Sequence, residues 1–241
     1  MESGDKPPLG EQVGIRVAAV SLKGALGAVP LIGSLLAEIA GQFIPQQRVE
    51  RIEDFMRYLD ARIDGLDAEA LRERLADPER LDLFEEGVVQ STRALSTSRR
   101  EYIASIVGNG IGGDDKAKIE AKRMLKLLRE VDDDQIIILA SKLMRHQRDR
   151  AFQERHSAVF DLPRVHMQAG REEFDKAALY ELARVELVRL GLLAPRFKTP
   201  KKGELPDFDP KTGMMQQTSR DITPLGRMLL RHVGLAGADE I

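Results

Sequence analysis

Apolar residues recur every three or four positions along most of this chain, which is the spacing of one face of an α-helix. Over residues 46–64 they are Val49, Ile52, Phe55, Met56, Leu59 and Ile63, and charged residues fill the opposite side. Charged residues make up 32% of the 241 residues and aromatic residues only 5%. This balance suits helices packed through Leu and Ile better than a β-sandwich. The sequence therefore predicts a mainly α-helical protein.

Capping signals predict where several further helices begin. Asp77-Pro78-Glu79 indicates a helix start, since Asp is a good N-cap and Pro fits the first helical position. The acidic run 132–134 supplies a cap and early negative charge for a following helix, and Thr223-Pro224 opens a last one. The glycine-rich residues 108–113 predict a turn between two helices.

Charge and residue usage exclude several functional classes. Lys plus Arg number 37 and Asp plus Glu 39, so the formal charge of −2 argues against a protein that coats nucleic acid through global basicity. The absence of Cys excludes disulfides, Cys-based zinc fingers, iron–sulfur ligation and Cys nucleophiles.

Catalytic and metal-binding motifs are not recognisable in the sequence. His146, His156 and His166 are ten residues apart, so on one helix successive rings would be rotated by about 80°. The glycine-rich residues 108–113 lack the Gly-Lys-Ser/Thr ending of a phosphate-binding loop, and no nucleophile elbow is present. We expect a protein that is not an enzyme and uses no metal or other cofactor. The alternative, a hydrolase with an unrecognised site, would need a deep polar pocket in which the pKa values of carboxylates are strongly shifted.

The apolar segment 13–44 is the clearest candidate for a membrane or partner contact. Its uncharged part, residues 24–37, is 14 residues long and contains Pro30, whereas a spanning helix needs about 20 apolar residues. Two interpretations stay open, a helical hairpin buried in the core and a membrane-active or partner-binding element. The candidate contacts of that element are Leu26, Val29, Leu31, Ile32, Leu35 and Leu36. Residues 1–12 do not read as a secretory signal, so we expect a cytoplasmic protein, with peripheral membrane association as the alternative.

The last third of the chain carries a pattern that resembles the end of winged helix-turn-helix domains. A helix ending in Val188-Arg189-Leu190-Gly191-Leu192-Leu193 precedes a polar stretch with four prolines and then Ile222-Thr223-Pro224-Leu225-Gly226-Arg227-Met228-Leu229-Leu230. The resemblance implies a recognition helix followed by a two-stranded wing. The fold we expect is mainly α, with a helical bundle over residues 1–131 and a winged-helix-like unit with one small β-hairpin over residues 132–241.

DNA contacts would come from basic side chains of the recognition helix and the wing, as in the DNA-binding winged helices. The candidates are Arg184, Arg189, Arg196, Lys198, Lys201 and Lys202. Glu181 and Glu186 lie on the same helix, where carboxylates facing phosphates are unfavourable. We therefore favour a protein-interaction or structural use of this unit, and DNA binding stays open as the alternative.

The middle of the chain resembles the bacterial abortive-infection alpha proteins. The residues that carry the resemblance are Arg99-Arg100-Glu101-Tyr102-Ile103-Ala104-Ser105-Ile106-Val107, a Leu-rich helix over residues 116–131, and Asp132-Asp133-Asp134-Gln135-Ile136. That family is helical, is associated with phage exclusion, and supplies no catalytic motif. The resemblance implies a role in phage defence.

The function that we predict is that of a non-enzymatic bacterial sensor or effector acting through protein or membrane interaction, in phage defence. The alternative is a winged-helix transcriptional regulator that binds DNA and dimerises through its helical N-terminal part. A protein partner is expected in the first case. Homo-oligomerisation, DNA contact through the wing and membrane contact through the N-terminal hairpin stay open.

Overall fold

Helices dominate the computed structural model, which describes residues 49–63, 65–161, 170–198, 200, 203, 205–210 and 213–237. These residues contain ten helices and one two-stranded antiparallel sheet, so the predicted mainly helical fold with one small hairpin is confirmed. They divide into two compact units, the first ending at Arg129 and the second beginning at Glu130. No helix within the described ranges is long and apolar enough to cross a membrane.

The described residues of the first unit form a bundle of five helices. They are α1 (Val49–Asp60), α2 (Ala68–Leu75), α3 (Pro78–Arg93), α4 (Thr97–Gly112) and α5 (Asp115–Leu128). The helices α2 to α5 each begin at a side chain that accepts a hydrogen bond from the first-turn backbone, and these N-caps are Asp67, Asp77, Ser96 and Asp114. The helix starts therefore follow from local sequence, as expected for good capping residues.

Helix α4 is the centre of this bundle, because α1, α3 and α5 all pack against it. Its buried residues run along its whole length, from Arg100 to Ile111. The largest side chains of the surrounding core, among them Phe55 and Phe84, are fully buried. A helix enclosed on several sides has little room for a polar face, and between Tyr102 and Ile111 only Ser105 and Asn109 are polar.

The break between the two helices lies later than predicted, because α4 continues as a helix to Gly112 and only Gly113 and Asp114 separate it from α5. Gly108 and Gly110 are buried where neighbouring helices approach closely. A Cβ atom at Gly110 would lie 2.6 Å from Ala121 Cβ and closer still to Leu83 Cδ2. Glycine is present here because its missing side chain admits α3 and α5, and not because the backbone turns.

In the part of the second unit that the structure describes, five helices combine with the hairpin. Its elements are α6 (Asp133–Ala140), α7 (Arg150–Arg155), α8 (Ser157–Phe160), α9 (Arg171–Arg189), β1 (Leu193–Phe197), β2 (Gln217–Ile222) and α10 (Pro224–His232). The strands pair antiparallel from Leu193 opposite Ile222 to Arg196 opposite Ser219, with an irregularity after Arg196. Gly191 has a φ of 72° and ends α9, because the left-handed conformation costs glycine little.

Helix α6 is the centre of the second unit, with α8, α9 and α10 packed against it. The start of α10 lies close to the start of β1, since a Cβ at Gly226 would overlap the carbonyl oxygen of Leu192. Thr223 joins these parts: its hydroxyl donates to the carbonyl of Gly191 at 2.7 Å and accepts from the amide of Gly226 at 3.0 Å. Local capping and tertiary packing therefore fix the position of α10 together.

Candidate functional site

A groove of about 580 Å³ lies in the second unit, between the start of α6, α8 and one side of α9. Its lining residues come from segments far apart in the chain. They are Asp132, Asp134, Ile138, Ala158, Val159, Glu172, Asp175, Lys176, Leu179, Tyr180, Leu182, Ala183 and Glu186. A groove of this size is large enough to hold several side chains of a binding partner.

One hydrogen-bonded connection holds the two main walls of the groove together. Asp132 and Gln135 form a capping box, in which the Asp132 carboxylate accepts from the Gln135 amide at 2.7 Å and the Gln135 side chain accepts from the Asp132 amide at 2.8 Å. The buried Gln135 Nε2 also donates to Glu186 Oε2 at 2.7 Å. The cap of α6 therefore positions α9 as well, and it holds the Glu186 carboxylate in the groove.

The groove is strongly acidic. Among the described residues that line it, five carry carboxylates and one carries an ammonium group. That ammonium, Lys176 Nζ, donates to the carbonyl of Asp161 at 2.8 Å. Burial raises the pKa of Asp134 above its ordinary value, and the neighbouring charges of Asp132 and Asp133 raise it further. Such a cluster attracts cationic groups and repels phosphates.

Exposed apolar side chains on α9 adjoin these carboxylates. Leu179 and Leu182 line the groove and are 66% and 52% exposed, whereas Ile138 on the groove floor is 1% exposed. Phe174 and Val185, at 47% and 49% exposure, extend the apolar surface along the same helix. A contiguous apolar surface next to charged groups is typical of an interaction site rather than of an ordinary solvated helix face.

The charged residues next to this surface on α9 are held by a salt-bridge cluster. Arg220 of β2 donates to both oxygens of Glu181, at 2.5 and 3.1 Å, and Arg184 donates to Glu181 at 3.1 Å. The Arg220 hydrogen bonds lower the pKa of Glu181, and the charges of both arginines act in the same direction against partial burial. Arg184 also lies 5.7 Å from the centre of the Tyr180 ring. The cluster ties the hairpin to α9.

The described candidate DNA contacts lie on α9, on β1 and directly after β1, and three of them have carboxylate partners. Arg184 binds Glu181 as described, Arg196 Nε lies 3.1 Å from Asp221, and Lys198 Nζ lies 2.9 Å from Asp207. The Asp207 hydrogen bond raises the pKa of Lys198. Arg189 is exposed in the last turn of α9. Lys201 and Lys202 lie outside the described residues, and DNA contact by this set stays a prediction.

The six candidate membrane or partner contacts of the N-terminal segment all lie outside the described residues. They are Leu26, Val29, Leu31, Ile32, Leu35 and Leu36. Their role therefore stays a prediction from the sequence.

Two of the three spaced histidines meet at one aromatic ring. His146 stacks on Phe152 with the ring centres 4.1 Å apart, and the His156 ring centre is 4.7 Å from that of Phe152. Burial lowers the pKa of His156, and the charges of Arg155 and His146 lower it further. Within the ranges that the structure describes, no three His, Cys, Asp or Glu residues are grouped to hold a metal ion. His166 is not among the described residues.

Sequence reasoning missed the groove because its parts are separated in the chain. The acidic run 132–134 reads as a helix cap, which it is, while its proximity to Glu172, Asp175 and Glu186 is a tertiary fact. One signal was present: Phe174, Leu182 and Val185 follow helical spacing on a different side of α9 from the buried Leu187. A helix that is apolar on two sides has a second surface to cover.

No protein-family model, no curated protein and no solved structure matches this chain.

Proposed function

We propose that this chain is a non-enzymatic bacterial sensor or effector that acts by binding a protein partner through the groove of its second unit. The partner would present a basic amphipathic helix. The observation that carries the proposal is the pairing of five groove carboxylates with the exposed Leu179 and Leu182. The groove and α9 together form the interaction surface of this proposal.

Each component of the surface has a matching component in such a helix. The exposed leucines would bury against its apolar face, with about 25 cal/mol gained per Å² of apolar surface removed from water. Its Lys or Arg side chains would meet the acidic rim, which speeds association and fixes orientation more than it adds affinity. An amphipathic helix in an apolar groove is a recurrent mode of peptide recognition.

The order of elements supports a winged-helix-like unit in which the recognition helix serves protein binding. Helix α9 leads through Gly191 into β1, and the hairpin returns through Thr223 into α10, as the sequence resemblance implies. Helix α9 carries five acidic and four basic residues. The phosphates of a DNA backbone offer no apolar surface against which its exposed apolar residues could be buried. Phosphates would be repelled by the groove carboxylates and would compete with the partners already bound to Arg184, Arg196 and Lys198.

Binding of a designed helical peptide to the full chain tests the proposal. We would measure fluorescence anisotropy with a labelled 18-residue peptide of Leu and Lys, arranged so that Leu forms one helix face. The control peptide replaces every Lys by Glu and keeps the Leu pattern. We expect saturable binding of the basic peptide that weakens as salt is added, and no binding of the acidic one.

Variants of the groove locate the binding. Glu172→Lys with Asp175→Lys reverses two rim charges without touching the Asp132 cap, and we expect about tenfold weaker binding of the basic peptide. Glu73→Lys with Glu154→Lys reverses two exposed charges, on α2 and α7, that do not line the groove, and this control should bind the basic peptide as the unchanged protein does. Equal losses in both variants would show that only the overall charge matters and would refute the groove assignment.

DNA binding is the second candidate, because Arg189, Arg196 and Lys198 are exposed at the end of α9 and along the hairpin. A gel-shift titration against duplex DNA at two salt concentrations distinguishes the two functions. If the chain is a regulator, its affinity for DNA falls steeply with salt and is lost when Lys198, Lys201 and Lys202 are changed to Ala. Under our proposal DNA does not bind even at low salt.

The role in phage defence rests on the resemblance of the middle of the chain to the abortive-infection alpha proteins. We would express the chain in a bacterial host and count plaques from a panel of phages. The expected result is fewer plaques with the unchanged protein and restored plaque numbers with Glu172→Lys and Asp175→Lys. Protection that survives these changes would separate defence from the groove.

A further inference from the structure

A second cleft, of about 480 Å³, lies in the first unit where α3 and α5 end and α4 begins. Three arginines line it, one from each helix end: Arg93, Arg99 and Arg129. Of the described residues that line it, Glu86 alone carries a carboxylate, and Val89 and Ile103 add apolar surface. The cleft therefore combines a net positive charge with an apolar wall.

Hydrogen bonds fix part of this arrangement. Arg99 donates to the carbonyl of Leu128 at 3.0 Å, which holds its guanidinium at the end of α5. Glu86 accepts from Arg129 at 3.3 Å and from Gln90 at 2.8 Å. The described lining thus holds three guanidinium groups and one carboxylate, which is bound to Arg129, and Arg93 and Arg129 are exposed to solvent.

We infer that this cleft binds a small organic molecule that carries phosphate groups. Guanidinium groups match the geometry of phosphate oxygens and retain their charge at any physiological pH. Val89 is 40% exposed and can contact the apolar part of a ligand. The volume falls within the range of about 300–1,000 Å³ that small-molecule sites usually have. The ligand class is therefore a phosphorylated compound of about nucleotide size.

The site is independent of the proposed protein-binding groove, because the two lie in different units and share no residue. It would give the first unit a ligand to which a sensor could respond. The chain can therefore bind a phosphorylated ligand even if it does not bind the peptide, and it can bind the peptide even if it does not bind a phosphorylated ligand.

Calorimetric titration of the full chain tests the inference with three probes that separate the parts of the ligand. ATP carries phosphate groups together with an aromatic base, tripolyphosphate carries phosphate groups alone, and adenosine carries the base without phosphates. We expect saturable ATP binding that weakens with salt, weaker binding of tripolyphosphate, and the weakest binding of adenosine. Adenosine binding as tightly as ATP would overturn the phosphate assignment, and tripolyphosphate binding as tightly as ATP would overturn the role of the apolar wall.

Substitution of the two exposed arginines locates the ligand. We expect Arg93→Gln and Arg129→Gln each to weaken ATP binding about tenfold, because each removes a hydrogen bond to a charged group. Arg99 is left unchanged, since its bond to Leu128 holds α4 to α5. Arg72→Gln is the control, because Arg72 is an exposed arginine of the same unit paired with Glu69 at 3.0 Å, outside the cleft. The inference fails if ATP does not bind, or if Arg93→Gln and Arg129→Gln bind it as Arg72→Gln does.

Discussion

Replacement of Gly110 by Ala should destabilise the first unit, although alanine is the better helix former. The added Cβ would lie 2.6 Å from Ala121 Cβ, whereas carbon atoms in contact are separated by about 3.5–4.0 Å. Ala121 has no side-chain rotamer that could relieve this overlap, so α4 and α5 must separate or the core must shift. Overpacking of this kind costs about 1–3 kcal/mol.

The gain in helix propensity opposes this cost and sets the net effect. Alanine is favoured over glycine inside a helix by about 1 kcal/mol, so we expect a net loss of up to about 2 kcal/mol. Gly112→Ala is the matched control, because this glycine is in the same helix and nothing lies within 4 Å of a Cβ placed there. It should leave the stability unchanged or raise it by up to about 1 kcal/mol.

Urea unfolding followed by circular dichroism, with both variants in the full chain, measures the difference. We expect the Gly110→Ala midpoint to fall below that of the unchanged protein and the Gly112→Ala midpoint to equal or exceed it. Two variants of equal stability, or a more stable Gly110→Ala, would show that α3 and α5 do not approach α4 at this residue.

Two further predictions concern the salt bridge at the start of α3 and the packing of α9. Hydrogen bonds from Lys118 Nζ and the helix backbone lower the pKa of Asp77 in the folded protein. The Asp77 carboxylate therefore stabilises the fold at a pH above its pKa in the unfolded chain, and this contribution is lost as the pH falls through its lower pKa in the folded protein. The loss of thermal stability between pH 5 and pH 3 should be smaller in Lys118→Met than in the unchanged protein. Leu187→Ala should cost about 2–5 kcal/mol in urea unfolding, because Leu187 is fully buried, whereas Leu182→Ala should change stability by less than about 0.5 kcal/mol and weaken binding of the basic peptide.

Local chemistry made the helix starts predictable. Asp77-Pro78 and Thr223-Pro224 each combine a side-chain N-cap with a proline at the first helical position, and both open helices in the structure. The hairpin was also predictable from local sequence, since Gly191 ends α9 two residues before the first strand begins. Features set by a few neighbouring residues can be predicted from one sequence.

Features set by contacts between distant segments could not be predicted in the same way. The glycines at 108 and 110 have the sequence signature of a turn, and only the closeness of Leu83 and Ala121 shows that they belong inside a helix. The carboxylates of the groove come from the start of α6 and from α9, and residues 141–170 separate these two helices. The arginine cleft likewise collects side chains from three helix ends that meet only in the folded bundle.

A charge-swap measurement tests the proposed groove most directly. We would titrate the Glu172→Lys and Asp175→Lys double variant with the acidic Leu and Glu peptide and with the basic Leu and Lys peptide. The account predicts reversed selectivity, so that the variant binds the acidic peptide more tightly than the unchanged protein does and the basic peptide less tightly. If the selectivity does not change, the groove on α9 is not the surface that binds the partner.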